Sequence, residues 1–145
     1  MLKLKMLIFG LLLFPMVLLA QKPVNWTWSY DGTQKAVKFK VELSEGWHLY
    51  SQHVQNDIGP VPTQFVFENT PGIEFIGEVQ EPVPVQKYDE NFEATLDFFE
   101  KEAEFTQKVK GSKGVVKGTV IYMVCNETMC LPPVDLPFSI TLDNH

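Results

Sequence analysis

Whatever covalent chemistry this chain performs falls to two residues. Cys125 and Cys130 are its only cysteines, in the stretch Tyr122-Met-Val-Cys-Asn-Glu-Thr-Met-Cys-Leu-Pro-Pro133. A bond between them closes a ring of six residues. As a brace that ring is weak, worth about 2 kcal/mol against about 4.7 for a loop of a hundred residues. Three chemistries remain open from spacing alone. The pair can exchange electrons with other thiols, it can clip one turn, or Met123, Cys125, Met129 and Cys130 can supply soft ligands to a cuprous ion. A structural zinc site needs two further ligands, and no Cys or His spacing supplies them.

Exchange requires a thiolate to attack a sulfur, a mixed disulfide, and a second thiol to resolve it. Adjacent cysteines provide both roles within one chain. Reactivity rises with the thiolate fraction, which a cation or a helix N-terminus increases. Here the nearby charges are Glu127 and Asp135, and no Lys or Arg follows Lys117. The expectation is a thiol pKa that is normal or raised, and a reduced form that reacts slowly until a partner docks.

Competing chemistry is scarce. No Ser/His/Asp set, phosphate loop or paired acids with mechanistic spacing is present, so nothing in the sequence points to an enzyme with a small substrate. Trp26, Trp28 and Trp47 read as core or sheet-face aromatics. His53 and His145 read as solvated, and His48 as a lining residue with no proton to move. Asn25-Trp-Thr27 and Asn126-Glu-Thr128 fit the N-glycosylation pattern. The second lies inside the cysteine ring, where a glycan would block any partner, and both read as coincidence.

The ends and the charge place the chain. Lys3 and Lys5 precede an apolar run from Met6 to Leu19, and Ala20 offers a small residue for cleavage. That run is short for a bilayer span of roughly 20 residues. We therefore expect a leader over 1–20 and an exported domain over 21–145, in a compartment where disulfides persist. Past the leader, 10 lysines face 18 acids, a formal charge of −8, and there is no arginine. Such a domain is a poor partner for nucleic acid or anionic membranes.

The elements that must hold the cysteines have a period of two. Val37, Phe39, Val41 and Leu43 alternate with Lys38, Lys40 and Glu42, and Val134, Leu136, Phe138, Ile140 and Leu142 repeat the pattern. Further strand-like runs are Trp26–Tyr30, Trp47–His53, Thr63–Glu68, Ile73–Val79, Ala103–Val109 and Val115–Val124. Glycine-bearing turns such as Asp31-Gly32, Glu45-Gly46 and Pro71-Gly72 separate them. No segment carries a helical stripe; the best candidate, Glu93–Glu104, fits a strand equally well. Seven to nine strands predict an all-β, immunoglobulin-like antiparallel sandwich in a single domain. Glu81–Asn91, with Pro82 and Pro84, reads as a long loop.

Tyr122-x-x-Cys125, Cys130-x-Pro132-Pro133 and the closing alternating strand resemble the amino-terminal periplasmic domain of the protein-disulfide reductase DsbD. Glu45-Gly-Trp-His-Leu-Tyr50 is similar to that family's Gly-aromatic-x-Leu-Tyr strand, and Tyr88-Asp-Glu-Asn-Phe92 to its acidic, aromatic cap loop. The likeness runs from about Trp26 to Leu142. It implies an immunoglobulin-like fold bearing an exchangeable dithiol in the periplasm of a Gram-negative bacterium, with no cofactor. Electrons would come from a membrane thiol transporter through a thioredoxin-like domain. They would pass to oxidised periplasmic thioredoxin-fold proteins, disulfide isomerases and cytochrome c maturation proteins among them. By position, Cys130 would enter the mixed disulfide and Cys125 resolve it. Phe92 would cap the sulfurs, Tyr50 and Tyr122 would line the site, and Asp89 and Glu90 would flank the cap. Two departures stand out: the cysteine ring is tighter, and His48 replaces an aromatic ring. No membrane or thioredoxin-like region follows, so a free-standing version is expected.

Overall fold

The computed structural model describes residues 22–54, 57, 59–111 and 113–143. The expected leader over 1–20 and His145 lie outside these. Eleven strands and no helix make up the described chain. In order they are β1 (Val24–Asp31), β2 (Ala36–Leu43), β3 (His48–Tyr50), β4 (Gln64–Phe67), β5 (Glu74–Gln80) and β6 (Val85–Asp89), then β7 (Ala94–Glu100), β8 (Glu102–Lys110), β9 (Gly114–Tyr122), β10 (Val124–Cys125) and β11 (Val134–Leu142). All pairings are antiparallel, in three sheets ordered β1-β2-β8-β5, β10-β3-β7-β6 and β11-β9-β4. The fold is immunoglobulin-like and all-β.

Alternation decides which residues enter the core. Val37, Phe39, Val41 and Leu43 of β2 are buried, as are Phe138, Ile140 and Leu142 of β11, whereas Val134 at the start of β11 stays exposed. Phe39 lies at the centre of an aromatic cluster, with ring centroids 4.8 Å from both Phe65 and Phe138. Trp26 packs on Phe105 and Tyr122 from the side. Gly118 lets β4 and β11 close on β9, because a Cβ there would run into the Val66 carbonyl oxygen and the Phe138 ring.

Three readings from the sequence need correction. Among the described residues there are eleven strands rather than seven to nine. The segment read as a long loop, Glu81–Asn91, contains β6, an edge strand paired along its length with β7. Four of its five residues are exposed, so no apolar alternation marks it. The run Val115–Val124 is two strands. β9 ends at Tyr122, paired with Val134, and after Met123 the chain crosses to another sheet, where Val124 and Cys125 pair with Leu49 and His48.

That crossing positions the site. The sheet β10-β3-β7-β6 turns Leu49, Phe99 and Val124 into the main core. Its other face carries Tyr50, Leu96, Phe98 and Cys125, which with Met123 form a second and smaller apolar cluster. Successive side chains on a strand point to opposite faces, so Cys125 leaves the main core because Val124 enters it.

Candidate redox site

Cys125 and Cys130 are joined, with Sγ atoms 2.01 Å and Cα atoms 4.0 Å apart. They form a cross-strand pair at the neck of a tight hairpin. On one side of the pair the Leu131 N–H donates to the Val124 carbonyl (3.0 Å), and on the other the Asn126 N–H donates to that of Met129 (2.8 Å). Within the ring the Asn126 side-chain oxygen accepts from the N–H groups of Thr128 (2.9 Å) and Met129 (2.8 Å), and from the Thr128 hydroxyl (3.1 Å). An Asx turn of this kind shapes the loop without help from the sulfurs. Pro132 and Pro133, which lack N–H donors, then release the chain before β11.

The two sulfurs stand in different surroundings. Cys125 is 0% exposed, within the small apolar cluster. Cys130 is half-buried against that cluster, and its neighbour Met129 is exposed. The tip of the β6–β7 hairpin, residues Glu90 to Glu93, closed by the left-handed Glu93 (φ 51°), meets the cysteine ring through Asn91 and Asn126. Phe92 at this tip packs on the cluster, its ring edge-on to Tyr50 at a centroid distance of 5.8 Å.

Asp89 holds the tip in place. Its Oδ1 accepts from the backbone N–H of Asn91 (2.8 Å) and of Phe92 (3.3 Å). Its Oδ2 accepts from the Tyr50 hydroxyl (2.6 Å) and lies 2.9 Å from His48 Nε2, which is in turn 3.0 Å from the Tyr50 oxygen. The Asn91 side-chain amide donates to the Asn126 carbonyl (2.8 Å), tying the tip to the cysteine ring. The His48 imidazole stacks on Phe98, centroids 4.3 Å apart.

The Asp89 side chain is fully buried. Burial opposes its charge, but hydrogen bonds from Tyr50, His48 and the Asn91 N–H outweigh that and hold its carboxyl below the ordinary carboxylate value. Burial, then the Asp89 hydrogen bond and charge, push the Tyr50 hydroxyl far up, so it remains a donor. Beside this network a groove of about 480 Å³ runs between the hairpin tip and the cysteine ring, lined by Lys87, Glu90, Glu100 and Glu127 among others.

A profile described as thiol:disulfide interchange protein DsbD, N-terminal, matches residues 16–141. The chain belongs to this family. No curated protein matches it by sequence. The DsbD N-terminal domain of Neisseria meningitidis in its reduced form superposes with a TM-score of 0.64 at 18% identity, over 84% of this chain and 87% of that one. A structure of the complex between the DsbD N-terminal and PilB N-terminal domains of the same organism gives 0.62 at 17% identity, over 86% and 87%. The N-terminal periplasmic domain of ScsB from Proteus mirabilis gives 0.54 at 18%, over 83% of this chain and 45% of that one.

Of the residues singled out from the DsbD resemblance, the fold brings Cys125, Cys130, Tyr50, Phe92 and Asp89 together. Glu90 is exposed at the rim of the groove. Tyr122 is not in this group: it is buried in the main core against Trp26, centroids 5.5 Å apart, and burial pushes its hydroxyl up. Asp89, expected to flank the cap, accepts from the hairpin-tip N–H groups of Asn91 and Phe92 and from the Tyr50 hydroxyl. His48, read from the sequence as a lining residue, bonds Asp89 there, and Asn91 and Asn126 join it without having been read as site residues. Asp89-x-Asn91 and Asn126-x-Thr128 each carry the signature of an Asx turn, which was the available signal for both asparagines.

Proposed function

We propose that this domain is a periplasmic thiol–disulfide exchange module, exported by the leader at 1–20, and that Cys125 and Cys130 relay reducing equivalents between proteins. The observation that carries the reading is the unequal burial of the pair: Cys130 reaches the surface and Cys125 does not. In the reducing direction, the Cys130 thiolate attacks a sulfur of the partner's disulfide, and the partner's first thiolate leaves. The Cys125 thiolate then attacks Cys130 Sγ and expels the second. Two electrons have passed to the partner, and the Cys125–Cys130 bond has formed. Phe92 shields the pair until a partner displaces the hairpin tip.

The donor in this reading is a thioredoxin-like domain of a membrane thiol transporter. The acceptors are oxidised periplasmic proteins of thioredoxin fold, including those of cytochrome c biogenesis. Family membership supports the exchange chemistry, and the neighbour solved as a complex of DsbD and PilB N-terminal domains supports docking on another protein.

Trapping tests it. Cys125→Ser leaves the accessible Cys130 unable to be resolved, and should accumulate mixed disulfides with thioredoxin-fold proteins in the periplasm. Cys130→Ser should trap far fewer. A reduction potential below roughly −300 mV would mark the bond as a structural clip and defeat the proposal.

A further inference from the structure

We propose that Asn91 is a positioning residue: its side-chain amide latches the Phe92 cap to the cysteine ring and so sets how readily a partner reaches the disulfide. The proposal rests on the reading of Cys125 and Cys130 as an exchange centre shielded by Phe92, and names what governs access to that centre. Its basis is one hydrogen bond between two elements. The Asn91 amide donates to the Asn126 carbonyl at 2.8 Å, from the tip of the β6–β7 hairpin to the residue that follows Cys125.

The place of this bond decides its role. Asp89 organises the tip from within the same hairpin, through the N–H groups of Asn91 and Phe92. It is also paired with Ala94 in the β6–β7 ladder, so its bonds to Tyr50 and His48 can persist while the tip moves. The Asn91–Asn126 bond cannot, because its two ends belong to the parts that separate. Among the described residues it is the one hydrogen bond joining residues 90–93 to anything outside β6 and β7. Phe92 supplies the other contact, packing on the apolar cluster that includes Cys125. Apolar burial is non-directional and lets a ring slide, whereas a hydrogen bond weakens steeply off line and fixes where the tip sits.

Both ends of the bond are ordered independently of it. The Asn91 backbone is held by Asp89 at 2.8 Å. Asn126 donates its N–H to the Met129 carbonyl and accepts on its side-chain oxygen from the N–H groups of Thr128 and Met129, which leaves its own carbonyl for the tip. A bond between groups already in place costs little further ordering entropy. It therefore delivers the ordinary net worth of a hydrogen bond, a factor of about five in the balance between closed and open cap.

The test is a double-mutant cycle on the rate at which an uncharged phosphine, tris(hydroxypropyl)phosphine, reduces the oxidised protein at constant pH. Reduction through a locally opened form follows the population of that form. Asn91→Ala should therefore be reduced about fivefold faster than wild type. It should change the rate less than about twofold where Phe92→Ala has already removed the cap. Asn91→Asp keeps the size of the side chain but sets an acceptor against the Asn126 carbonyl. It should accelerate reduction at least as much, and it carries the cycle if the alanine variant does not fold. A folded variant reduced within about twofold of the wild-type rate overturns the latch. So does equal acceleration with and without the Phe92 ring, which would mean that Asn91 shapes the cysteine ring rather than holds the cap. Mixed disulfides still trapped by Cys125→Ser would then leave the exchange reading standing. The full cycle with nothing trapped would sink the exchange reading alone.

Discussion

Replacing Asp89 with alanine removes an acceptor that four donors use. Two of them are strand groups: the Tyr50 hydroxyl, on a residue 0% exposed, and His48 Nε2. Orphaning a buried donor costs about 1–3 kcal/mol, and bonds to a charged acceptor lie at the upper end. Water entering the vacated space, and the imidazole turning its proton toward the Tyr50 oxygen, recover part of this. The other two donors are the Asn91 and Phe92 N–H groups at the hairpin tip, where solvent is close and the loss is smaller. About 3 kcal/mol is the resulting expectation for the closed state, or roughly 10 °C in Tm for a domain of this size. If the tip instead lifts away, the loss appears as accessible sulfurs. The assays are urea unfolding of the oxidised protein, followed by tryptophan fluorescence, and the rate of disulfide reduction by a phosphine. Asp89→Asn is the graded control. It keeps an oxygen for the tip amides and presents an NH₂ to Tyr50 and His48, so it should lose about half as much. An Asp89→Ala protein within about 0.5 kcal/mol of wild type, with a reduction rate within twofold, would refute the idea that this carboxylate anchors the cap.

Other perturbations probe separate parts of the same account. Phe92→Ala deletes a half-buried ring, about half the cost of removing a fully buried one, or roughly 2 kcal/mol; alkylation of the reduced thiols should accelerate at least tenfold, and an unchanged rate would count against capping. Acid should act through Asp89. A carboxyl held below its ordinary value of 3.8 stabilises the fold above that pH and ceases to do so as pH falls through the lowered value. The Tm gap between wild type and Asp89→Asn should therefore be full at pH 6 and shrink at pH 3. Gly118→Ala drives a Cβ into the Val66 carbonyl and the Phe138 ring. It should cost about 2–3 kcal/mol by urea unfolding, in the range of overpacked cores, while leaving the reduction rate of the distant disulfide near that of wild type.

The regular strands were readable because burial on one face leaves a trace in composition. β2 alternates Val, Phe, Val and Leu with charged residues, and each apolar member proved buried. β6 left no such trace. It is an edge strand whose side chains are mostly exposed, so backbone pairing to β7 is all that defines it, and the two prolines before it suggested a loop. Tyr122 was misplaced for a related reason. Its nearness to Cys125 in sequence suggested nearness in space, but the chain changes sheets at Met123, and Tyr122 packs in the main core whereas Cys125 belongs to the smaller cluster.

Residue types and spacing were enough, by themselves, to identify a close pair of cysteines too near each other to brace a fold, on a sandwich of alternating strands. They could not reveal that one sulfur is enclosed and the other reaches the surface, because that follows from which face of β10 meets the main core. Nor could they join His48 to Asp89, 41 residues further along. A hydrogen bond between distant positions depends on the register of three paired strands, and no local pattern of side chains records a register set by burial elsewhere in the sheet.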